Sequence, residues 1–171
     1  MYEDQLKIPK ERVAVLVGKK GSTKKEIESK TKTKIEISKD GDVLISCEDT
    51  LKIYVTKSII KAIGRGFNPE FALKLLDEDY CFEIIEIRDF SGKSKNKTLR
   101  LKGRAIGQQG KSRKTIEDLT DTNISVYGKT VSILGKISNV GLARKALESL
   151  LRGSRHGNVY KWLEKQKKLQ R

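Results

Sequence analysis

Two short runs in this chain have the residue types and spacing to hold a phosphate: Gly18-Lys19-Lys20-Gly21 and Gly107-Gln108-Gln109-Gly110. Glycine at both corners removes the side chains that would keep a sugar-phosphate backbone at a distance. A turn of this length between two helices also sets the second helix's unpaired first-turn amides, and the positive end of its dipole, beside the approaching anion. The residues between the glycines then decide the kind of contact. Lys19 and Lys20 bring charge, whereas Gln108 and Gln109 bring only hydrogen bonds, so the two turns are expected to bind with unequal strength or selectivity. Downstream, Lys24, Lys25, Lys111, Arg113 and Lys114 are placed to neutralise further phosphates, and Arg104 to assist the second turn.

Other chemistries find less support. The run from Ala105 to Lys111-Ser112 satisfies a relaxed phosphate-loop pattern of nucleotide hydrolases. Such a loop needs a buried strand just before it, and LRLKGR is too charged and too short to be one. No apolar strand ending in Asp follows to hold magnesium, and the corresponding first-copy run GKKGST breaks the pattern. Cys47 and Cys81 lack CxxC spacing, and His156 is far from both in sequence, which argues against a disulfide framework or a zinc site. Cys47, inside the strand-like run DVLISC, reads as a small buried residue. No catalytic residue, metal or cofactor is expected.

The elements that position these turns repeat. At an offset of 89 residues, VGKKGSTKKEIESKTKTKIEI aligns on IGQQGKSRKTIEDLTDTNISV with eight identities in 21 positions. They include Gly18/Gly107, Gly21/Gly110, Glu28/Glu117, Thr31/Thr120 and Thr33/Thr122. The chain therefore reads as two copies of one unit. In the first copy QLKIP predicts a strand and KERVAVLV a short helix ended by Gly18. Ser22 is expected to cap the helix STKKEIESKTK. Alternating Ile35 and Ile37 mark a strand, Lys39-Asp40-Gly41 a hairpin turn, DVLISC a second strand, and TLKIYVTKSIIKAIG a final helix. The second copy repeats the order with YCFEIIEI, a helix within TLRLKGRAIG, KSRKTIEDLTD, NISVY, TVSIL and NVGLARKALESLLRG. Between the copies, Asn68 and Pro69 predict the start of an extra helix over PEFALKLLDED. The fold class is α+β, βααββα twice, with boundaries at 1–66, 67–79 for the joining helix, 80–153, and 154–171 for a basic C-terminal helix.

A formal charge of +15 with 35% charged residues points to a polyanionic partner. No run of 18 apolar residues and no signal-peptide core is found, so a soluble, cytoplasmic protein is expected, with no membrane partner. Residues 67–90 carry seven acidic groups against two basic ones and should face away from nucleic acid or meet a basic protein. Lys93, Lys95, Lys97, Arg100, Lys102 and Arg104 crowd the approach to the second turn, either as a phosphate-binding patch or as a solvated flexible loop. In the C-terminal segment Val159, Trp162, Leu163 and Gln166 share one helical face. Lys161, Lys165, Lys167, Lys168 and Arg171 share another. Trp162 is expected to pack on the second copy and His156 to make a structural hydrogen bond; RNA stacking by Tyr160, or protein docking, is the functional alternative for this segment.

Val17-Gly18-Lys19-Lys20-Gly21 with Ile27, and Ile106-Gly107-Gln108-Gln109-Gly110 with Ile116, resemble the type I KH domain. The resemblance implies a grip on about four single-stranded nucleotides. Bases would lie on an aliphatic groove, here Val13, Val17 and Ile37 in one copy, and Ile106 and Val126 in the other, which suits a chain with 6% aromatics. Over nearly its whole length, including LLRGSRHGNVYKWLEK, the chain is similar to archaeal members of the pre-ribosomal-RNA processing KH family. That implies single-stranded RNA near the 3′ end of small-subunit ribosomal RNA as ligand. As partners it implies the endonuclease that trims that end and the alpha subunit of translation initiation factor 2. Eukaryotic relatives tend to lose the first Gly-x-x-Gly; here Gly18 and Gly21 are present, so a purely structural role for the first domain does not carry over. The alternatives are a KH-type regulator of messenger RNA and a winged-helix DNA-binding protein. Against the latter, STKKEIESKTK offers no Asn, Gln or Arg to read base edges, although Arg113 stands in the second copy.

Overall fold

The computed structural model describes residues 1–170. The chain forms two compact units, Met1–Glu78 and Asp79 onward. In the first, β1 (Tyr2–Lys7) leads through a single 3-10 turn into α1 (Val13–Val17), and a second such turn, Lys19–Gly21, leads into α2 (Ser22–Thr31). Strands β2 (Lys34–Ile37) and β3 (Asp42–Cys47) form a hairpin, and α3 (Thr50–Gly64) closes the layer, its first turn capped by Asp49 through Leu51 N at 2.9 Å. The sheet is antiparallel in the order β1-β3-β2. Alternation along β2 and β3 sends Ile35, Val43 and Ile45 to one face, where they are buried with Leu16, Ile27, Ile59, Ile60 and Ile63 from the helices.

The segment after α3 is shorter in its helix than the sequence suggests. Helix α4 spans only Pro69–Ala72, and the chain tightens into a 3-10 turn over Leu73–Leu76. Pro69 does occupy the first helical position, but the Asn68 side chain makes no capping bond. Ala72 and Leu75, three residues apart, are the buried positions, a spacing the 3-10 geometry brings onto one face. Both elements pack on α3, so this stretch belongs to the first unit.

The second unit repeats the plan with an insertion after its first strand and an extra helix at its C-terminal end. After β4 (Tyr80–Glu86) comes a one-turn helix, α5 (Arg88–Ser91), which the sequence did not signal. Helix α6 (Lys95–Ile106) starts at Ser94, whose hydroxyl accepts from Lys97 N at 3.1 Å. The basic approach to the second turn is therefore helical from Lys95 onward and not a flexible loop. Helix α7 (Lys111–Thr120), strands β5 (Thr122–Tyr127) and β6 (Thr130–Lys136), and α8 (Ile137–Arg152) follow, with sheet order β4-β6-β5. Helix α9 (His156–Leu169) packs on α7 and α8 through Val159 and Leu163, both nearly inaccessible, with Trp162 and Tyr160 partly buried beside them. Arg171, assigned above to the basic face of this helix, lies outside the described residues.

Candidate nucleic-acid interface

The two glycine turns have the same backbone. Gly18 stands at φ 75°, ψ 175° and Gly107 at 77°, 173°; Gly21 at 75°, 13° and Gly110 at 76°, 10°. The second intervening residue is left-handed in both, Lys20 at φ 56° and Gln109 at 55°. In each turn the second glycine's N–H donates to the first glycine's carbonyl at 3.2 Å. The four intervening side chains, Lys19, Lys20, Gln108 and Gln109, are exposed.

The glycines within a turn differ in what surrounds them. A Cβ on Gly107 would lie 2.5 Å from Ser112 N and Cβ, and one on Gly18 would lie 2.7 Å from Thr23 N and closer still to its hydroxyl. The first glycine thus lets the incoming helix end press on the start of the next. A Cβ on Gly21 or Gly110 would meet nothing nearer than 3.9 Å, the tip of a flexible Lys25 or Arg113 side chain. The second glycine faces open space beside the N-termini of α2 and α7. Neither helix has a side-chain cap. Ser22 is not the N-cap: it is already helical at φ −62°, ψ −42°, because the 3-10 turn runs directly into α2 and leaves the cap position to left-handed Gly21. The amides at this end are left for solvent or a ligand anion.

Behind each turn, the repeated glutamate and threonines have internal tasks. Glu28 Oε2 accepts from Ile35 N at 3.0 Å and Glu117 Oε2 from Ile124 N at 2.9 Å, pinning the helix to the strand that follows. The other carboxylate oxygen faces Lys24 at 3.8 Å or Arg113 at 2.8 Å. Burial pushes the Glu117 carboxyl above its ordinary range, against the opposing pull of the Ile124 amide and Arg113. Thr31 and Thr120 each bond the carbonyl four residues back at 2.6 Å and the next threonine, Thr33 or Thr122, at 2.7 and 2.8 Å. Lys24 and Arg113 are thus each paired with a glutamate on their own helix. Lys25, Lys111 and Lys114 are exposed.

Arg104 is placed differently from its expected role. Its Nε donates to Leu150 O at 3.0 Å and a terminal nitrogen to Ser154 O, so the guanidinium ties α6 to the end of α8. Arg12 does the same in the first unit, donating to Ile63 O at 2.8 Å and Phe67 O at 2.9 Å past the end of α3. The two arginines are not equivalent in the repeat, which hid the shared task. His156 makes a structural hydrogen bond, Nε2 donating to Arg104 O at 2.9 Å.

Among the groove candidates, Val13, Val17, Ile37, Ile106 and Val126 are all half-buried. Ile37 and Val126 follow buried Ile35 and Ile124 by two residues and so share the helix-facing side of their sheets. In the second unit α6 packs against β5, which puts Ile106 and Val126 on adjoining elements. Among the described residues no group of three or more His, Cys, Asp or Glu is gathered as a metal site, and no helix is long and apolar enough to cross a membrane.

A helix, a glycine-cornered turn with an open second corner, and a second helix on a three-stranded antiparallel sheet define a phosphate-accessible module, present twice. Residues 81–168 match the eukaryotic-type KH domain, KH-domain type I, and residues 3–65 match the KH domain. A KH domain-containing protein of Methanocaldococcus jannaschii is 51% identical over 166 residues, 95% of this chain and 73% of that protein. The pre-rRNA-processing protein pno1 of Aspergillus fumigatus is 34% identical over 119 residues, 68% of this chain but 47% of that protein, so the chain spans about half the length of this fungal relative. A chain in the crystal structure of an a/eIF2alpha–aDim2p–rRNA complex from Pyrococcus horikoshii OT3 is similar with a TM-score of 0.89 and 47% identity, over 98% of this chain and 94% of that one. The chain belongs to the type I KH-domain family.

Proposed function

We propose that the protein is a non-catalytic, single-stranded RNA-binding factor in small-subunit ribosomal RNA processing and ribosome assembly, gripping one strand at each glycine turn. The observation that carries this reading is the open second corner of both turns, beside an uncapped helix start and exposed Lys19, Lys20, Gln108 and Gln109. Phosphates approach the backbone there; Lys25, Lys111 and Lys114 neutralise them, with Lys24 and Arg113 shared with their glutamates. Val13, Val17 and Ile37, or Ile106 and Val126, carry base planes. The relatives named for pre-rRNA processing, and the similar chain in a complex with rRNA and a/eIF2alpha, support the ligand and point to the initiation factor's alpha subunit as a partner. The rRNA-trimming endonuclease is a further partner on the family resemblance alone. Its site of action is the cytoplasm.

A nucleotide hydrolase is not favoured, since helix α6 and not a buried strand precedes the Gln-Gln turn. Competition between single-stranded RNA and duplex DNA tests the reading, together with two double variants, Lys19→Asp with Lys20→Asp and Gln108→Asp with Gln109→Asp. Each places carboxylates where a phosphate should sit, and weaker RNA binding without unfolding is expected. Unchanged affinity in both, or duplex binding as tight as single-strand binding, would remove the proposed site.

A further inference from the structure

A second cleft adjoins the Gln-Gln turn on a face of α6 different from the one that carries Leu99, Lys102 and Ile106. It has a volume of about 430 Å³ and runs between α6, the start of α7 and α9. Arg100 and Lys111 stand exposed among its lining, Gln108 lies at its junction with the turn, and Tyr160 and His156 form the α9 wall. The His156 ring is held by Arg104 O and meets the Tyr160 ring edge-on at 6.1 Å, so the wall is fixed. Ser112 also lines the cleft; the residue is 1% exposed and its buried hydroxyl has no hydrogen-bond partner. It sits in the first turn of α7, a ten-residue helix without a side-chain cap.

We propose that this cleft takes one further nucleotide of the RNA strand, its base against Tyr160 and its phosphate between Arg100 and Lys111. This rests on the RNA-binding reading above and adds to it a seat outside the groove that Ile106 and Val126 line. Continuity supports a strand over a free anion: Gly107 and Gln108 belong to both the turn and the cleft, and Lys111 directly follows the turn, so a strand held at the turn delivers its neighbouring nucleotide here. The positively charged rim favours RNA over an acid-poor protein segment. The seat belongs to the second unit, since α3 of the first is followed by one-turn α4 and not by a long aromatic-bearing helix.

Fluorescence anisotropy on the full chain tests this with two single-stranded RNAs, one of four nucleotides and one extended by two nucleotides at each end. Tyr160→Leu is expected to weaken the extended strand about tenfold, within the range that stacking of one base on an aromatic ring contributes. It should leave the four-nucleotide strand unchanged, and Tyr160→Phe should behave as wild type on both. Arg100→Gln, on an exposed side chain, should give the same selective loss and carries the test if Tyr160→Leu unfolds. Equal affinity of wild type and both substituted proteins for the extended strand overturns the proposal, as does an equal loss on both strands. Competition by free phosphate or a mononucleotide as strong as that by the extended strand also overturns it, by assigning the cleft to a free anion. If neither Gln108→Asp with Gln109→Asp nor Lys19→Asp with Lys20→Asp changes any affinity, the RNA-binding reading falls as well; if either double variant weakens binding and Tyr160→Leu and Arg100→Gln do not, this inference alone falls.

Discussion

At the scale of single residues, the two glycines of each turn are not interchangeable. Gly107→Ala forces a Cβ into the Ser112 backbone at a positive φ, and should cost about 3 kcal/mol or more of stability. Gly110→Ala meets open space, so only the left-handed backbone is penalised, by about 1–2 kcal/mol, while the new methyl stands where a phosphate approaches. Denaturant unfolding beside RNA titration separates them: the first variant loses mainly stability, the second mainly affinity. The Gly-x-x-Gly spacing is legible in the sequence; this division is not, because it depends on Thr23 and Ser112 folding back over the first corner. Glu117 offers a test with pH. Burial raises its carboxyl, so the folded chain holds the proton more readily than the unfolded one, and ionisation lowers stability. As pH rises from the ordinary carboxylate pKa through the raised folded value, wild type should therefore lose stability relative to Glu117→Gln. A stability difference between the two that does not move across that window, by urea unfolding, would contradict the buried carboxylate.

At the scale of elements, the order strand, helix, helix, strand, strand, helix is readable in both copies because apolar period and glycine stops agree there. What escapes is set by tertiary contacts. Arg104 reads as a phosphate ligand from its neighbours, yet its partners are carbonyls 46 and 50 residues away. Likewise Ser22 has the right type for a cap, but the 3-10 turn before it leaves no extended residue there. The helix within TLRLKGRAIG is legible, but its first turn from Lys95 is not, because the charge of Lys93, Lys95 and Lys97 also fits a loop and the start is set by the Ser94 cap. Arg104→Gln removes both ties from α6 to the end of α8. It should cost about 1.5–3 kcal/mol, towards the lower end because the side chain is partly exposed, and should speed proteolysis around Ser154. Large loss of RNA affinity with unchanged stability would instead return Arg104 to the phosphate ligands.

At the scale of the whole molecule, the positive charge is divided unevenly. Residues 1–78 carry 16 Lys and Arg against 13 Asp and Glu, a net +3, while residues 79–171 carry 21 against 9, a net +12. The first unit compensates locally by placing Lys19 and Lys20 in its turn; the second, already basic around its turn, fills it with glutamines. This predicts different salt behaviour for the two turns. Each phosphate neutralised on a single strand adds about 0.7 to the log–log salt slope of affinity through counterion release. Lys19→Gln with Lys20→Gln should therefore flatten the slope by up to about 1.4. Gln108→Ala with Gln109→Ala should weaken binding by a factor that is the same at every salt concentration, since hydrogen bonds release no counterions. Titrations of one single-stranded RNA from low to moderate salt distinguish the two. If the lysine variant keeps the wild-type slope, Lys19 and Lys20 do not neutralise phosphate, and the first turn does not contribute the electrostatic share of the grip.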